Sequence, residues 1–454
     1  MKLRLEVFGQ AARTGIATYR RCLQLILSIC FLSAASGCAG TIASVPGSSS
    51  SPTGPVAPSV VDAIVVFGDS LTCGGQGNSY GQSPIGSVPD ALQSMLDIPA
   101  VNQGVGGNTS SQIDVRYNAG GAHQTVTLAG NQIPVSGSVQ ATFPSGWQPV
   151  TSSGGNNGAA CYQSLTGQGT NATINGVAGV FTYAGGNYSF TPTVYPPSPV
   201  TTVVNNPYTV ATPYAGYFLV DSSGTNDVNQ NVPLATVIAN DKAMAALAGN
   251  RFIVASALPF DLPSYMPGGT AAISLANLNA AKASTFGNHY ADTLTPLLDG
   301  CGPVPGGALA AMDALDIANG IVPTSCRAYN GSKIAANINS TQTTVCLSGA
   351  YPAVGEKGYF SHVTDPVGGF EAFLITAIVT PGTCSTGSQM TVVRGYAGTV
   401  AGTYLANQDS WGFWDRVHLS GGAPNTAVAA KTGYAIQAEA IAEAYRILTE
   451  SAAP

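Results

Sequence analysis

The stretch 60–74 constrains this chain more than any other. It reads V-V-D-A-I-V-V-F-G-D-S-L-T-C-G. From Val60 to Phe67, Val or Ile supply five of the eight residues and Asp62 is the only polar one. A near-continuous β-branched run with no alternation predicts a strand buried on both faces, as in a parallel sheet. Gly68-Asp69-Ser70-Leu71 follows at once. A parallel strand that ends in a glycine turn carries the Ser70 hydroxyl to the carboxyl edge of the sheet, where open α/β folds bind ligands.

Similar units recur along the chain. After a polar, Gly-rich loop at 74–84, Ser87 with Asp90 three residues on forms a capping box. It opens a helix whose Leu92, Met95 and Leu96 share a face. Residues 99–102 predict a short second strand, which runs into N-Q-G-V-G-G-N-T at 102–109. A third buried strand, Tyr217-Phe218-Leu219-Val220-Asp221, runs into Gly224-Thr225-Asn226-Asp227. A helix over 232–247 and a fourth strand over 251–258, stopped by Pro259, come next. A helix over 274–298 carries His289, which reads as a structural or surface histidine. The closing helix spans 427–448, with Ala435, Ala438, Ala442, Tyr445 and Leu448 at helical spacing. Strands alternating with helices predict an α/β fold.

Two stretches break this pattern. Residues 117–213 hold few charges and alternate in short runs, with hairpin signals at Asn175-Gly176 and Gly185-Gly186-Asn187. Residues 321–410 are strand-like again, most clearly at 343–347, 372–376 and 390–394. Both read as β-rich insertions. Asp415 and His418 then form a D-x-x-H pattern in a predicted loop before the last helix.

D-x-x-H alone carries no signal, but the order of the four motifs does. G-D-S-L after the first strand, a Gly turn after the second, G-x-N-D after the third and D-x-x-H before the final helix resemble blocks I, II, III and V of the GDSL, or SGNH, family of serine hydrolases. The resemblance covers about 60–116, 214–320 and 411–454. It implies a flavodoxin-like three-layer α/β/α core in three parts, interrupted by the two insertions at 117–213 and 321–410. It also implies Ser70 as nucleophile, His418 as base and Asp415 as the carboxylate that orients the base. The Ser70 N–H, the Gly107 N–H and the Asn226 side-chain amide are implied as oxyanion donors. No cofactor or metal is implied.

The chemistry asks for these residue types. A serine hydroxyl is a poor nucleophile until a base takes its proton, and His is poised for that near neutral pH. A carboxylate on the other ring nitrogen fixes the tautomer and stabilises the imidazolium. Asp and His three residues apart in one loop can meet within a turn. The serine lies in G-D-S-L and not in a G-x-S-x-G elbow, which disfavours the α/β-hydrolase fold. Asp69 and Asp227 read as structural residues that hold their loops.

The ends and the cysteines set the compartment. Lys2, Arg4, Arg13, Arg20 and Arg21 precede an apolar run over 22–35, which reads as a secretory signal peptide at 1–37. Ala35-Ser36-Gly37-Cys38 resembles the lipobox of bacterial lipoproteins, which makes Cys38 a candidate lipid anchor and the Ser/Pro/Gly-rich 41–59 a tether. Ordinary secretion is the alternative. Residues 1–37 hold five of the sixteen Lys and Arg and one of the 22 Asp and Glu, so residues 38–454 carry a net charge of −10. With no basic run, nucleic acid is excluded as a partner. Beyond Cys38 lie Cys73, Cys161, Cys301, Cys326, Cys346 and Cys384, an even set that suggests disulfides in an exported chain. Sorting by region favours 73–161, 301–326 and 346–384 among fifteen connectivities. The resulting expectation is an exported ester hydrolase acting through an acyl-enzyme, anchored at the periplasmic or cell-surface side of a membrane. A carbohydrate O-acetyl esterase acting on an acetylated polysaccharide is favoured over a lipase- or thioesterase-like activity. The alternative of another class is a catalytically silent cell-surface binding protein on the same fold.

Overall fold

The computed structural model describes residues 62–74, 87–149, 169–184, 186–210, 214–301, 308–334, 336–347, 354–362, 370–379, 388–419 and 432–450. Of residues 308–309, 328–332, 379, 388, 410–411 and 413–417 it describes the backbone alone. The expected signal segment, Cys38, the expected tether, Cys161 and Cys384 lie outside the described residues.

β1 (Ile64–Gly68) is buried at all five residues, as its unbroken apolar run requires. It passes directly into α1 (Ser70–Cys73), which Gly74 ends in the left-handed region. α2 (Val88–Leu96) opens with the Ser87–Asp90 capping box. β2 (Ala100–Gly104) and α3 (Ser110–Arg116) follow.

The chain then leaves the α/β pattern. β3 (Thr125–Leu128), β4 (Gln132–Ile133), β5 (Val139–Thr142), β6 (Gly169–Ile174), β7 (Val177–Ala184), β8 (Asn187–Pro192), β9 (Val200–Thr201) and β10 (Asn206–Val210) succeed one another. Six of them close a barrel in the order β10-β3-β5-β8-β7-β6, and β4 pairs with β9 apart from it. Val126, Leu128, Ile174, Phe181 and Phe190 fill its core. Asn175 and Gly176 both take positive φ between paired Ile174 and Val177, the two-residue hairpin turn that Asn-Gly favours.

The α/β pattern resumes with β11 (Phe218–Ser222), α4 (Thr225–Asn229), α5 (Leu234–Ala248), β12 (Phe252–Ala255), α6 (Thr270–Phe286), β13 (Tyr290–Ala291), α7 (Leu294–Leu298) and α8 (Ala308–Ala318). The single helix expected over 274–298 is therefore divided. Gly287 takes φ 56° after α6, and the chain turns into the last strand of the parallel sheet. His289 is structural: its ring stacks on Phe252 at 4.2 Å and its Nδ1 lies 2.8 Å from the Phe252 carbonyl.

β14 (Arg327–Lys333), β15 (Thr344–Leu347), β16 (Lys357–Ser361), β17 (Glu371–Val379), β18 (Ser388–Val393) and β19 (Ser410–Leu419) form an antiparallel sheet ordered β14-β19-β16-β17-β18-β15. α9 (Gly433–Glu450) closes the described chain.

The parallel sheet runs β2-β1-β11-β12-β13, which in chain order is 2-1-3-4-5, the order of flavodoxin-like sheets. Ile64 and Val66 share a core with Leu92 of α2 and Ile441 of α9. Val65 and Phe67 face the other way, onto Ile113 of α3 and Met244 of α5. Cys301 and Cys326 are bonded, with Cα atoms 5.3 Å apart, as expected. Cys73 and Cys346 are also in disulfides, and the expected partners Cys161 and Cys384 lie outside the described residues.

Candidate active site

Three motifs meet at one edge of the parallel sheet. Gly68 pairs with both Ser222 and Gly104, so β1, β2 and β11 end level with one another. The chain leaves those ends as Asp69-Ser70, as the loop to α3 and as the turn into α4. Gly104 allows backbone to approach backbone: a Cβ there would lie 2.2 Å from the Cys73 nitrogen. The Asn102 amide locks this contact by donating to the Thr72 and Cys73 carbonyls at 3.2 and 3.1 Å.

Asp69 links the three motifs. One carboxylate oxygen accepts from the Leu71 N–H at 2.9 Å and caps the serine's helix. The other accepts from Asn226 Nδ2 at 3.1 Å, and the same nitrogen donates to the Asn108 carbonyl at 3.1 Å. Asn226 thus bridges the first and second motifs from its place in the third. Gly107 takes φ 77°, and its carbonyl accepts from Gln230 Nε2 at 3.4 Å. Asp227 accepts from the Ser110 N–H at 2.8 Å and the Ser110 hydroxyl at 2.7 Å, tying the third motif to the start of α3. Asp69 and Asp227 are buried and act as the loop-holding residues the sequence suggested.

His418 comes to the same place from the far end of the chain. β19 lies against α1, the helix that Ser70 begins. The His418 imidazole is near enough to the Asp69 carboxyl to lower its pKa when protonated. Burial raises that carboxyl to about 6, against the lowering effects of the Leu71 N–H and His418, and with a further rise from Asp227.

The D-x-x-H stretch lies within a strand and not in the free loop expected. Strands present successive side chains to opposite faces, so residues three apart in a regular strand diverge. The ladder is irregular here. Arg327 pairs with Leu419 and Tyr329 with Trp414, so residues 415–418 stand opposite Ala328 alone. Such a bulge re-aims side chains locally. The backbone of Asp415 is in this bulge, and its side chain lies outside the described residues.

Sequence reasoning missed Arg116. Its guanidinium is buried and donates to the Gly68 carbonyl (3.1 Å), the Gln103 carbonyl (2.9 Å) and Asn108 Oδ1 (2.9 Å), joining β1, β2 and the second motif. A signal was present: Arg116 is the only Lys or Arg between residues 22 and 241. A second buried group lies behind the third motif. Lys282 Nζ is 3.3 Å from Asp241 and donates to the Ser223 carbonyl at 2.8 Å. Burial and Asp241 push Asp221 well above the ordinary carboxylate value, and push Asp114 up to about 8. Among the described residues, no group of three His, Cys, Asp or Glu side chains is placed to hold a metal ion.

Residues 64–159 match the model of the family described as GDSL-like Lipase/Acylhydrolase. No curated protein matches the chain. Among solved structures, a G-D-S-L family protein from Desulfitobacterium hafniense DCB-2, described as lipolytic, is 15% identical. The match covers 52% of this chain and 80% of that one, at a TM-score of 0.25, which carries no argument. The chain resembles the GDSL-like lipases and acylhydrolases, and that family's model recognises it through its first two motifs.

Proposed function

We propose that the protein is an exported serine ester hydrolase that works through an acyl-enzyme. His418 takes the Ser70 proton as Oγ bonds to the ester carbonyl carbon. The tetrahedral oxyanion is held by the Ser70 N–H, the Gly107 N–H and the Asn226 amide. His418 then gives the proton to the departing alkoxide, and the alcohol leaves. Water, deprotonated by His418, attacks the acyl-enzyme, and the acid leaves as Ser70 regains its proton. Asp415 orients the imidazole and stabilises its charge. The observation that carries this reading is the Asn226 amide bridging Asp69 and Asn108, with the strand of His418 packed against the serine's helix. As both amide hydrogens already have partners, Asn226 serves the oxyanion by sharing or yielding its contact to Asp69.

The reading extends to architecture and place. The core is a flavodoxin-like three-layer α/β/α unit with two β-rich insertions, and Cys38 carries a lipid after cleavage at residue 37. A carbohydrate O-acetyl ester is the favoured substrate, because a barrel and a second sheet joined to an exported hydrolase suit a polymer-facing enzyme. That support is architectural.

Fluorophosphonate labelling tests the nucleophile: the parent chain labels, and Ser70→Ala neither labels nor hydrolyses esters while keeping its fold. An Ala variant with parental turnover overturns the assignment. Release assays across acetylated glycans, short p-nitrophenyl esters and long-chain esters test the substrate, and preference for long chains defeats the acetyl-glycan reading. Cys38→Ser moves the protein out of the membrane fraction if the anchor is real, and a parent chain found wholly in the aqueous fraction refutes it.

A further inference from the structure

Four charged side chains are buried together where the six-stranded sheet meets the parallel one. Arg327 Nη1 lies 2.7 Å from Asp261 Oδ2, and its Nη2 lies 2.8 Å from Asp316 Oδ2. Lys357 Nζ lies 2.9 Å from Asp261 Oδ2 and also pairs with Asp316 Oδ1. None of the four side chains is more than 4% exposed. Thr324 completes the set, donating to Asp316 at 2.6 Å and accepting from Arg327 at 2.8 Å. Burial alone would raise the Asp261 carboxyl, but Arg327 and Lys357 outweigh it and hold it below the ordinary value.

The location gives the cluster its meaning. Asp261 is on the segment that leaves the carboxyl end of β12, the same edge of the sheet that presents Ser70 and Asn226. Asp316 is in α8, Lys357 begins β16, and Arg327 begins β14. Arg327 is the ladder partner of Leu419, the residue after His418, so it anchors one end of the 415–418 bulge. The same end is fixed twice more: Cys326 is bonded to Cys301, and its carbonyl fits against Gly433 so closely that a Cβ there would lie 2.2 Å away. A buried ion cluster gives little net stability compared with apolar packing, because desolvation offsets the attraction. What a guanidinium fork between two carboxylates supplies is a fixed relative position.

We propose that Arg327, Lys357, Asp261 and Asp316 are positioning residues for His418, holding the base of its bulge in register with the edge that carries Ser70. This rests on the reading of Ser70 and His418 as nucleophile and base. The test compares Arg327→Lys, Asp261→Asn and Thr324→Val with Glu371→Gln. Glu371 forms a buried pair with Arg394 in the same sheet, two strands from β19. Fluorophosphonate labelling rate, kcat and KM for a short p-nitrophenyl ester, and melting temperature are measured for each. Arg327→Lys, which keeps the charge but loses the fork, and Asp261→Asn, which removes a charge, are each expected to lose about 10² in labelling rate and kcat with KM nearly unchanged, the size of effect that a misplacement of about 1 Å produces. Thr324→Val, which removes one hydroxyl and no charge, slows labelling to a smaller degree and decides the matter if those two variants do not fold. Glu371→Gln melts earlier but labels at the parental rate. Variants that label at the parental rate, or an equal loss in Glu371→Gln, overturn the proposal. A parent chain that does not label, or a His418→Asn variant that labels as fast as the parent, overturns the nucleophile-and-base reading itself, and the two failures are thereby told apart.

Discussion

The Asp69 carboxylate closes the serine's helix with one oxygen and holds the Asn226 amide with the other. Loss of a preorganised oxyanion donor costs about 10²–10³ in rate, so Asn226→Ala should lower kcat by about that factor with KM little changed. Steady-state kinetics on a short ester checks this, and a rise in KM with kcat unchanged would mean that Asn226 only binds substrate. At this scale the sequence was legible for place: Ser70 and Asn226 each follow a β-branched or apolar strand, and the strand ends bring their motifs and that of Gly107 to one edge of the sheet. It was not legible for Arg116 or Lys282. A buried cation is defined by the carbonyls and carboxylates it meets, and those partners are brought to it by strands that pair across long separations.

At the scale of elements, the approach of α1 to β2 depends on the missing side chain at Gly104. A methyl group there would meet backbone, which cannot rotate away. Gly104→Ala should push α1 from its seat, reducing kcat at least tenfold and destabilising the protein by about 1–3 kcal/mol, as overpacked sites do. Activity and denaturant melts read both effects, and a variant with parental kinetics would mean the contact is dispensable. The first strand was predictable because an unbroken β-branched run has one comfortable home, between two layers of helices. The two-residue β13 was not, since so short a strand has no periodicity and a helix pattern on either side absorbs it. Nor could the bulge at 415–418 be read, because it arises from pairing between β14 and β19 and leaves no mark in either sequence alone.

For the molecule as a whole, charge is scarce and much of it is inside. Beyond residue 37 the chain has eleven Lys and Arg, and among the described residues Arg116, Lys282, Arg327 and Lys357 are buried. The buried carboxyls set a pH dependence. Asp69 and Asp227 are raised to about 6 and Asp114 to about 8, each chiefly by burial. The folded chain therefore holds protons that the unfolded chain has released, and stability falls as pH rises from about 4 through these values. Asp261, held low, has the opposite sign, and its contribution is lost only in stronger acid. The melting temperature should decline between pH 5 and pH 8, and Asp114→Asn should flatten the decline; an unchanged slope in that variant would exclude Asp114 as a source. The long-range pairing also has a consequence for biosynthesis. β1 must wait for β11 before it can be enclosed, and the helix of Ser70 waits longer still for β19. On the export proposed above, a nascent chain crossing a membrane amino end first delivers the proposed nucleophile, Ser70, about 350 residues ahead of the proposed base, His418. Between those two arrivals it is a chemically idle polypeptide, and the proposed hydrolase comes into being only once residue 418 has reached the far side.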